Sequence, residues 1–277
     1  MAIITISRGT FSGGQSLAER IAQKLGYRCL GREVLVEAAR EYGVPDQKLS
    51  EALTKRPGFL EFLTRERKHY LACIRATLCK EAKDGNLIYH GHAGHLLLRG
   101  IPDVLRVRVV ANMEFRISAL TDHHMVSREQ AIQYVKKMDE ERVRWTRFLY
   151  HKDWQDPALY DVVINLDRVP LSDACDTVCH VANMEQFKAT PQWHKTMDDL
   201  ALSSHLTAII ANNKSISGQI EIEADGGVVT IGGTVESLSD ADRVRMLVRN
   251  ESGVKEINSR MRVRLVGIPA DAIPWEG

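Results

Sequence analysis

The sequence predicts an α/β fold built on a parallel sheet, followed by a smaller α+β unit. Strand and helix signals alternate along residues 1–187, which is typical of a parallel sheet with helices on both faces. Over residues 198–265 the order changes to helix, strand, strand, helix, strand. A chain of 277 residues is long enough to give each unit a core of its own.

A glycine-rich turn joins the first strand to the first helix. Residues 3–6 (Ile-Ile-Thr-Ile) predict a buried strand, and apolar residues at helical spacing begin at Leu17 and end before Gly26. Between them lie residues 7–16, whose glycines allow the backbone to curl. The following helix then directs free N–H groups and its positive dipole end at an anion. This arrangement predicts a phosphate-binding loop, although such turns also occur in dinucleotide-binding and purely structural settings.

The loop departs from the usual phosphate-binding motif at one position. Read as G-x-x-x-x-G-K-[ST], Gly9, Gly14 and Ser16 fit, whereas Gln15 stands where lysine is expected. Glutamine lacks the charge-assisted contact to the β- and γ-phosphates. Arg8, at the mouth of the turn, is the candidate replacement, with a solvated surface arginine as the alternative. Ser16 is the candidate Mg²⁺ ligand, and an N-terminal helix cap explains it almost as well.

The other elements of the first unit follow from periodicity and capping signals. Arg106 and Arg108 alternate with valines in a predicted strand over 104–110 and leave it on the same face. An arginine in a half-buried strand usually needs an anionic partner, which favours a binding site here. The remaining predicted elements are helices over 31–41, 61–83, 127–150 and 171–187, and strands over 86–90 and 160–165.

The second unit is predicted to follow a linker. Residues 188–197 contain turn formers and show no clear period, so we predict a linker there. Beyond it we predict helices over 200–211 and 239–250, strands over 219–224, 228–235 and 254–263, and a tail over 266–277.

Composition narrows the classes of partner. The 37 basic and 36 acidic side chains nearly balance, so we expect no nucleic-acid partner. No apolar run approaches the roughly 20 residues that a membrane span needs. The chain begins directly with the first strand and shows no signal segment, so we expect a cytoplasmic protein. The spacing of the histidines at 90, 92 and 95 is compatible with a metal site, although hydrogen bonds from their rings to the backbone explain their presence better.

Several motifs together resemble the cytidylate kinase-like branch of the P-loop nucleoside monophosphate kinases. The resemblance covers roughly residues 1–187. It is carried by Ser7-Arg8 with Ser12-Gly13-Gly14, residues 22–27, 88–93 and 107–111, Arg116-Ile117, Asp139 with Arg142, and residues 154–165, where Tyr-Asp-Val-Val-Ile-Asn is the most specific piece. It implies a three-layer α/β domain with a parallel sheet and a mobile lid. It also implies transfer of the γ-phosphoryl group of ATP, with Mg²⁺, to a nucleoside monophosphate such as CMP.

The resemblance assigns roles to individual residues. It implies that Gly13, Gly14 and Ser16 cradle the donor phosphates and that Arg116, Asp139 and Arg142 belong to the lid. With the analysis of the loop and of the 104–110 strand, we predict a catalytic group of Arg8, Arg116, Asp139 and Arg142, a cradle of Gly9, Ser12, Gly13, Gly14, Gln15 and Ser16, and substrate contacts from His92 and Arg108. The lid segment with Arg116, Asp139 and Arg142 would bring positive charge over the transferring group. A plain surface ion pair is the alternative for Asp139 and Arg142, which are i,i+3 neighbours.

Two departures from the family pattern favour a different function. Gln15 and His92 stand where the family commonly has a basic residue and an arginine, so permanent positive charge is lost from the phosphate region. A phosphotransferase remains the leading hypothesis. The alternative is a non-catalytic nucleotide sensor that signals through the C-terminal unit.

The C-terminal unit resembles a BON domain over about residues 198–265. The match rests on Ile220 and Ile222 and on residues 227–235, 241–248 and 253–263. It implies a small α-β-β-α-β module for regulation or interaction, with a protein or a lipid as its ligand. The alternative is a folding unit that binds nothing.

Overall fold

The structure is a computed structural model that describes residues 2–33, 36, 39–44, 61–91, 93–101 and 103–264. Three features of the sequence prediction lie outside the described residues. They are the residue His92, some positions of the helix predicted over 31–41, and the tail predicted over 266–277.

Five parallel strands form the first sheet, in the order β2-β3-β1-β4-β5. The strands are β1 (Ile3–Arg8), β2 (Arg28–Gly31), β3 (Leu87–Gly91), β4 (Val104–Val110) and β5 (Val162–Asn165). The central strand β1 is buried on both faces because successive side chains point to opposite sides of the sheet. Ile4 and Ile6 face one hydrophobic core, and Ile3 faces the other.

Helices cover both faces of this sheet, which confirms the predicted three-layer α/β domain. They are α1 (Gly14–Leu25), α2 (Glu61–Ala82), α3 (Gly94–Leu97), α4 (Met113–His123), α5 (Arg128–Tyr150) and α6 (Leu171–Ala182). Helices α1 and α6 pack on the face of Ile4, and α2, α3 and α5 supply residues to the core on the opposite face. No helix in the described part of the chain combines the length and apolar content that a bilayer span requires.

Several described elements of the first unit differ from the sequence prediction. Of the helix predicted over 31–41, Gly31 belongs to β2 and Ala39–Tyr42 form a 3₁₀ turn, and the short helix α3 was not predicted. The edge strand β2 was not predicted, because it has only four residues and starts with an exposed arginine. Helix α4 was not predicted either. Asn112 caps it by accepting a 2.8 Å hydrogen bond from the Phe115 N–H, but only a few of its residues are buried. The helix predicted over 171–187 ends at Ala182, and a 3₁₀ turn at Glu185–Phe187 follows it.

A second, mixed sheet forms the BON-like unit. It comprises β6 (Gly218–Asp225), β7 (Val228–Val235), β8 (Glu256–Ser259) and β9 (Arg262–Val263), with α8 (Leu238–Arg249) against it. Strand β6 pairs antiparallel with β7, whereas β8 and β9 pair parallel with β7. The single strand predicted over 254–263 is therefore split in two. Val229, Ile231, Val244 and Val248 lie at the centre of this unit's own hydrophobic core.

The predicted linker over 188–197 is largely helical. Helix α7 (Pro191–Asn212) is continuous over 22 residues. Thr190 caps it, because its side chain accepts a hydrogen bond from the Trp193 N–H at 3.1 Å, and Pro191 occupies the first turn, where no N–H is needed. Trp193 and Met197 are fully buried in the first unit.

Helix α7 belongs to two hydrophobic cores at once. Trp193, Met197 and Ala208 pack in the core of the first unit beside α2. Leu206 and Ile210 pack in the core of the second unit. The apolar residues therefore occupy two faces of the helix instead of one stripe, which explains why the sequence showed no clear helical period in the first turns.

We expect Trp193→Ala to destabilise the first unit, although residue 193 lies within the predicted linker. Removing a buried tryptophan costs about 3–5 kcal/mol in transfer and cavity free energy. Denaturant unfolding should show this loss, and Gln192→Ala, at an exposed position of the same turn, should change stability by under about 0.5 kcal/mol. Equal effects of the two substitutions would contradict the burial of Trp193.

Candidate functional site

The glycine-rich loop lies at the carboxyl edge of the parallel sheet, between β1 and α1. Ser12 closes it, because its backbone N–H and its hydroxyl both donate to the Gly9 carbonyl, at 3.3 and 3.0 Å. Gly13 adopts a left-handed conformation with φ +80° and has no side chain to cap α1. The first N–H groups of α1 are therefore available to an anion at this edge of the sheet.

The glycines of the loop also permit close packing of two arginines. A Cβ on Gly14 would lie 2.7 Å from the Arg8 Cβ, and one on Gly9 would lie 3.3 Å from the Arg116 guanidinium carbon. A side chain at Gly14 is excluded by this contact. The two guanidinium groups are thus brought to the loop because glycine leaves space for them.

Arg116 connects the loop to helix α5. Its Nη1 and Nη2 atoms donate to the two carboxylate oxygens of Asp139 at 2.7 and 2.8 Å, and its Nε donates to the Thr10 carbonyl at 2.8 Å. The arginine is only 8% exposed, so its pair with Asp139 is buried. The pair considered from the sequence, Asp139 with Arg142, is longer, at 3.7 Å. Three N–H donors of Arg116 are hydrogen-bonded to Thr10 and Asp139. Arg116 is therefore a positioning residue that holds the loop against α5.

Arg142 and Arg8 add further positive charge. Arg8 has no carboxylate at ion-pair distance among the described residues, although the charges of Glu33 and Glu19 act on it. The Arg142 Nη1 donates to the Arg8 carbonyl at 3.1 Å and lies 3.7 Å from Asp139, which already pairs with Arg116. Burial, opposed by the charge of Asp139 and helped by the charges of Arg8, Arg116 and Arg32, lowers the pKa of Arg142 to about 10. Burial also lowers the pKa of Arg8, whose Nε is buried without a hydrogen-bond partner.

Arg106 and Arg108, predicted to need anionic partners, differ in what they contact. Arg106 forms a two-pronged ion pair with Asp161, with N–O distances of 3.0 and 2.5 Å. The Arg108 guanidinium instead lies over the rings of Trp154 and Tyr160, 4.9 and 5.7 Å from their centroids. Among the residues that the structure describes, no carboxylate lies within ion-pair distance of Arg108. Its Nη1 atom also donates to the backbone carbonyls of Trp154, at 3.4 Å, and of Gln155. An aromatic platform and two carbonyls therefore hold a cation that has no carboxylate partner among these residues.

The segment over 154–161 builds this platform. Asp156 caps a 3₁₀ turn by accepting the Ala158 N–H at 2.9 Å. The Tyr160 hydroxyl donates to the Trp154 carbonyl at 2.7 Å and lies 3.3 Å from the Ser7 hydroxyl on β1. The sequence motif was noticed only as a resemblance, and its physical role is to support Arg108.

Gln15 and Ser16 both face solvent. The Gln15 side chain donates to Glu19 on its own helix at 3.0 Å and so turns along α1 instead of toward the loop. The Ser16 hydroxyl is exposed, and no protein group in the described part of the chain bonds to it. It remains open to a metal ion on a bound phosphate.

His90 lies in β3 and His95 follows it, and neither belongs to a metal-binding cluster among the described residues. His95 is buried against the Tyr160 ring, 4.8 Å between centroids, and both of its ring nitrogens lack partners. Burial, helped by Arg106, lowers the pKa of His95 to about 4, and burial followed by the Arg8 charge lowers the pKa of His90. The described residues contain no group of His, Cys, Asp and Glu able to hold a metal ion. His92 lies outside them.

Fold and site together define a kinase-like domain of the P-loop class. A family model described as the cytidylate kinase-like family matches residues 3–168, and a BON domain model matches residues 198–264. The chain belongs to the cytidylate kinase-like family and carries a BON domain in its C-terminal part.

The similar proteins include kinases and a solved structure. The chain is 29% identical to a cytidylate kinase of Ignicoccus hospitalis over 168 residues, which are 60% of this chain and 90% of that protein. It is 23% identical to a cytidylate kinase of Pyrobaculum islandicum over 186 residues, 65% and 95% of the two chains. The crystal structure of an uncharacterized protein from Eubacterium ventriosum superposes with a TM-score of 0.52 at 20% identity, covering 65% and 97% of the two chains. That likeness shows the fold alone.

We expect Asp139→Asn to destabilise the protein by about 2–4 kcal/mol, because it leaves buried Arg116 without a charged partner. Glu140→Gln is the matched control on the next residue. It breaks an exposed i,i+4 pair with Arg144 and should cost at most about 0.5 kcal/mol. Urea unfolding of the two variants measures both effects, and similar losses would contradict the bracing role of Asp139.

We expect His95 to make stability depend on pH below neutrality. Its pKa is about 4 in the folded protein and near its ordinary value of about 6.5 when unfolded, so the unfolded chain binds more protons between these values. Stability is then lost as pH falls through that window, by on the order of 2–3 kcal/mol. His95→Gln should flatten this part of the profile. His123→Gln, at an exposed position, should leave it unchanged.

Proposed function

We propose that this protein transfers the terminal phosphoryl group of ATP to a nucleoside monophosphate, with CMP as the first candidate. Membership of the cytidylate kinase-like family and the two cytidylate kinase relatives support nucleotide phosphoryl transfer as the reaction class. Our proposal adds that a nucleoside monophosphate is the acceptor and that this protein is catalytically active.

One observation carries the proposal: in the described part of the chain, three arginines lie around the loop and one carboxylate pairs with only two of them. Arg116 and Arg142 contact Asp139 at 2.7 and 3.7 Å, whereas no carboxylate of the described residues lies at ion-pair distance from Arg8. Burying cations without partners is costly, so an anionic ligand is the natural complement. Phosphoryl transfer needs mainly positioning and neutralisation of charge, which such a cluster supplies.

The residues present fit a bound ATP with Mg²⁺. The open N–H groups at the start of α1 and the loop glycines Gly9, Gly13 and Gly14 would hold the donor phosphates. The unpartnered buried atoms, Arg8 Nε and Thr10 Oγ1, would gain partners. Ser16 would contribute its hydroxyl to Mg²⁺, which supplies neutralising charge at the transferring group when it is bound.

Arg108 would bind the phosphate of the acceptor. It stands on β4 in register with Ser7 on β1, and its guanidinium, which has no carboxylate partner within the described ranges, lies at the same sheet edge as the loop. Stacking on Trp154 and Tyr160 fixes the plane of the guanidinium, which suits two-pronged binding of a phosphate. The role in substrate binding that the sequence resemblance gave to His92 stays a prediction.

A nucleotide sensor without catalysis is the second candidate. The observation that favours it is Gln15, whose side chain bonds to Glu19 and brings no charge to the phosphates. On this hypothesis ATP binds to the loop, no phosphoryl group moves, and the occupied domain acts through the BON domain.

Turnover with a panel of nucleoside monophosphates separates the two candidates. We expect the full-length protein with ATP and Mg²⁺ to form a nucleoside diphosphate. We expect Arg142→Met to lower kcat/KM by about 100-fold or more, because a charged contact to the transferring group is lost. Arg144→Met, an exposed arginine on the same helix, is the matched control and should retain activity.

Calorimetric binding of ATP completes the experiment. Gln15→Lys should strengthen ATP binding by about tenfold by restoring a charged contact. Binding that Arg142→Met weakens, without diphosphate from any acceptor, would establish the sensor. A protein that neither binds ATP nor turns it over would contradict both candidates.

A further inference from the structure

A cavity of about 550 Å³ lies between the kinase-like domain and the BON domain. Helices α2, α3 and α7 and strand β6 supply its walls. Its apolar lining includes Leu71, Leu97, Ile101, Leu200 and Ile222. The size and the apolar character match those of cavities that bind small molecules, which often lie at domain interfaces. None of the residues that line it belongs to the glycine-rich loop or to the arginines around it.

One cation in this cavity has no anionic partner. Arg75 projects from α2, and its Nε donates to the Leu97 carbonyl at 3.1 Å. Within the described residues, no carboxylate lies at ion-pair distance from it. A guanidinium among leucine and isoleucine side chains loses hydration free energy. A bound anion would offset this loss by supplying the missing counter-charge.

Tyr150 adds a second donor close to Arg75. Burial raises the pKa of Tyr150 to about 12, while the nearby charge of Arg75 acts in the opposite direction. The phenol therefore remains protonated near neutral pH. A protonated hydroxyl and a guanidinium that line the same cavity are suited to bind the two oxygens of one carboxylate.

The two acidic residues that line the cavity do not neutralise Arg75. Asp199 is engaged by Lys195 at 3.2 Å and accepts the Gly226 N–H at 2.7 Å. Glu223 is exposed on the edge strand β6. Among the described charges that line the cavity, Arg75 and Glu223 have no ion-pair partner, and Arg75 is the less exposed of the two.

We propose that this cavity binds a small amphipathic acid. Its carboxylate would accept hydrogen bonds from Arg75 and Tyr150, and its aliphatic body would cover the apolar walls from α2, α3 and α7. Because α7 and β6 contribute to the cavity, the ligand contacts both domains. The site is independent of the proposed phosphoryl transfer.

Titration of the full-length protein with decanoate tests the site, with decanol as the uncharged probe of equal chain length. We expect saturable binding of one decanoate per chain and binding of decanol at least about tenfold weaker. Arg75→Met keeps the length of the side chain but removes its charge. It should weaken decanoate binding by about tenfold or more and leave decanol unaffected. Arg249→Met, exposed on α8, is the matched control and should bind like the wild type.

A second variant tests the site independently, in case Arg75→Met fails to fold. Ser203→Phe fills the cavity from α7 and should block both probes, while circular dichroism and ATP binding report an intact fold. Absence of saturable decanoate binding to the wild type, or equal binding by wild type and Arg75→Met, would overturn the proposal. Equal affinity for decanol would overturn it too, as would binding only to anionic lipid vesicles that neither variant changes.

Discussion

The contact of Arg116 with Thr10 and Asp139 is the constraint on which the phosphate loop depends. One guanidinium holds the carbonyl of the loop and the carboxylate of α5 together, with hydrogen bonds of 2.7–2.8 Å. The loop could otherwise relax, because glycines impose little conformational preference. By bracing the loop against α5, Arg116 also brings Arg142 to the Arg8 carbonyl. The charge around the loop is thus a consequence of one buried ion pair.

The absence of a lysine at residue 15 has a structural counterpart elsewhere in the fold. Gln15 lies along α1, whereas Arg8 and Arg142 approach the loop from β1 and α5. Positive charge is therefore delivered by the sheet and by the helix packed over it, instead of by the first turn of α1. Guanidinium groups suit this task because they stay charged even when burial lowers their pKa, as Arg142 illustrates.

The BON domain is attached by a shared helix and not by a flexible connection. Trp193 and Met197 anchor α7 in the kinase-like domain, while Leu206 and Ile210 anchor it in the BON domain. The junction also contains a polar chain in which the Tyr42 hydroxyl lies 3.0 Å from His205, and His205 lies 3.1 Å from Glu251. A ligand that orders one domain therefore acts on side chains that the other domain also uses.

Local sequence determined the elements whose signals are local. The strand-glycine turn-helix of residues 3–25, the β4 pattern and the capping box of Ser127 and Gln130 were all readable, because periodicity and caps depend on near neighbours. The ion-pair partners of the charged residues could not be predicted from the sequence. Asp139 pairs with Arg116, 23 residues away, and not chiefly with Arg142. Burial of Trp193 and Met197 was missed because α7 divides its apolar residues between two cores. Only tertiary packing decides which distant charges and faces meet, since no spacing along the chain encodes them.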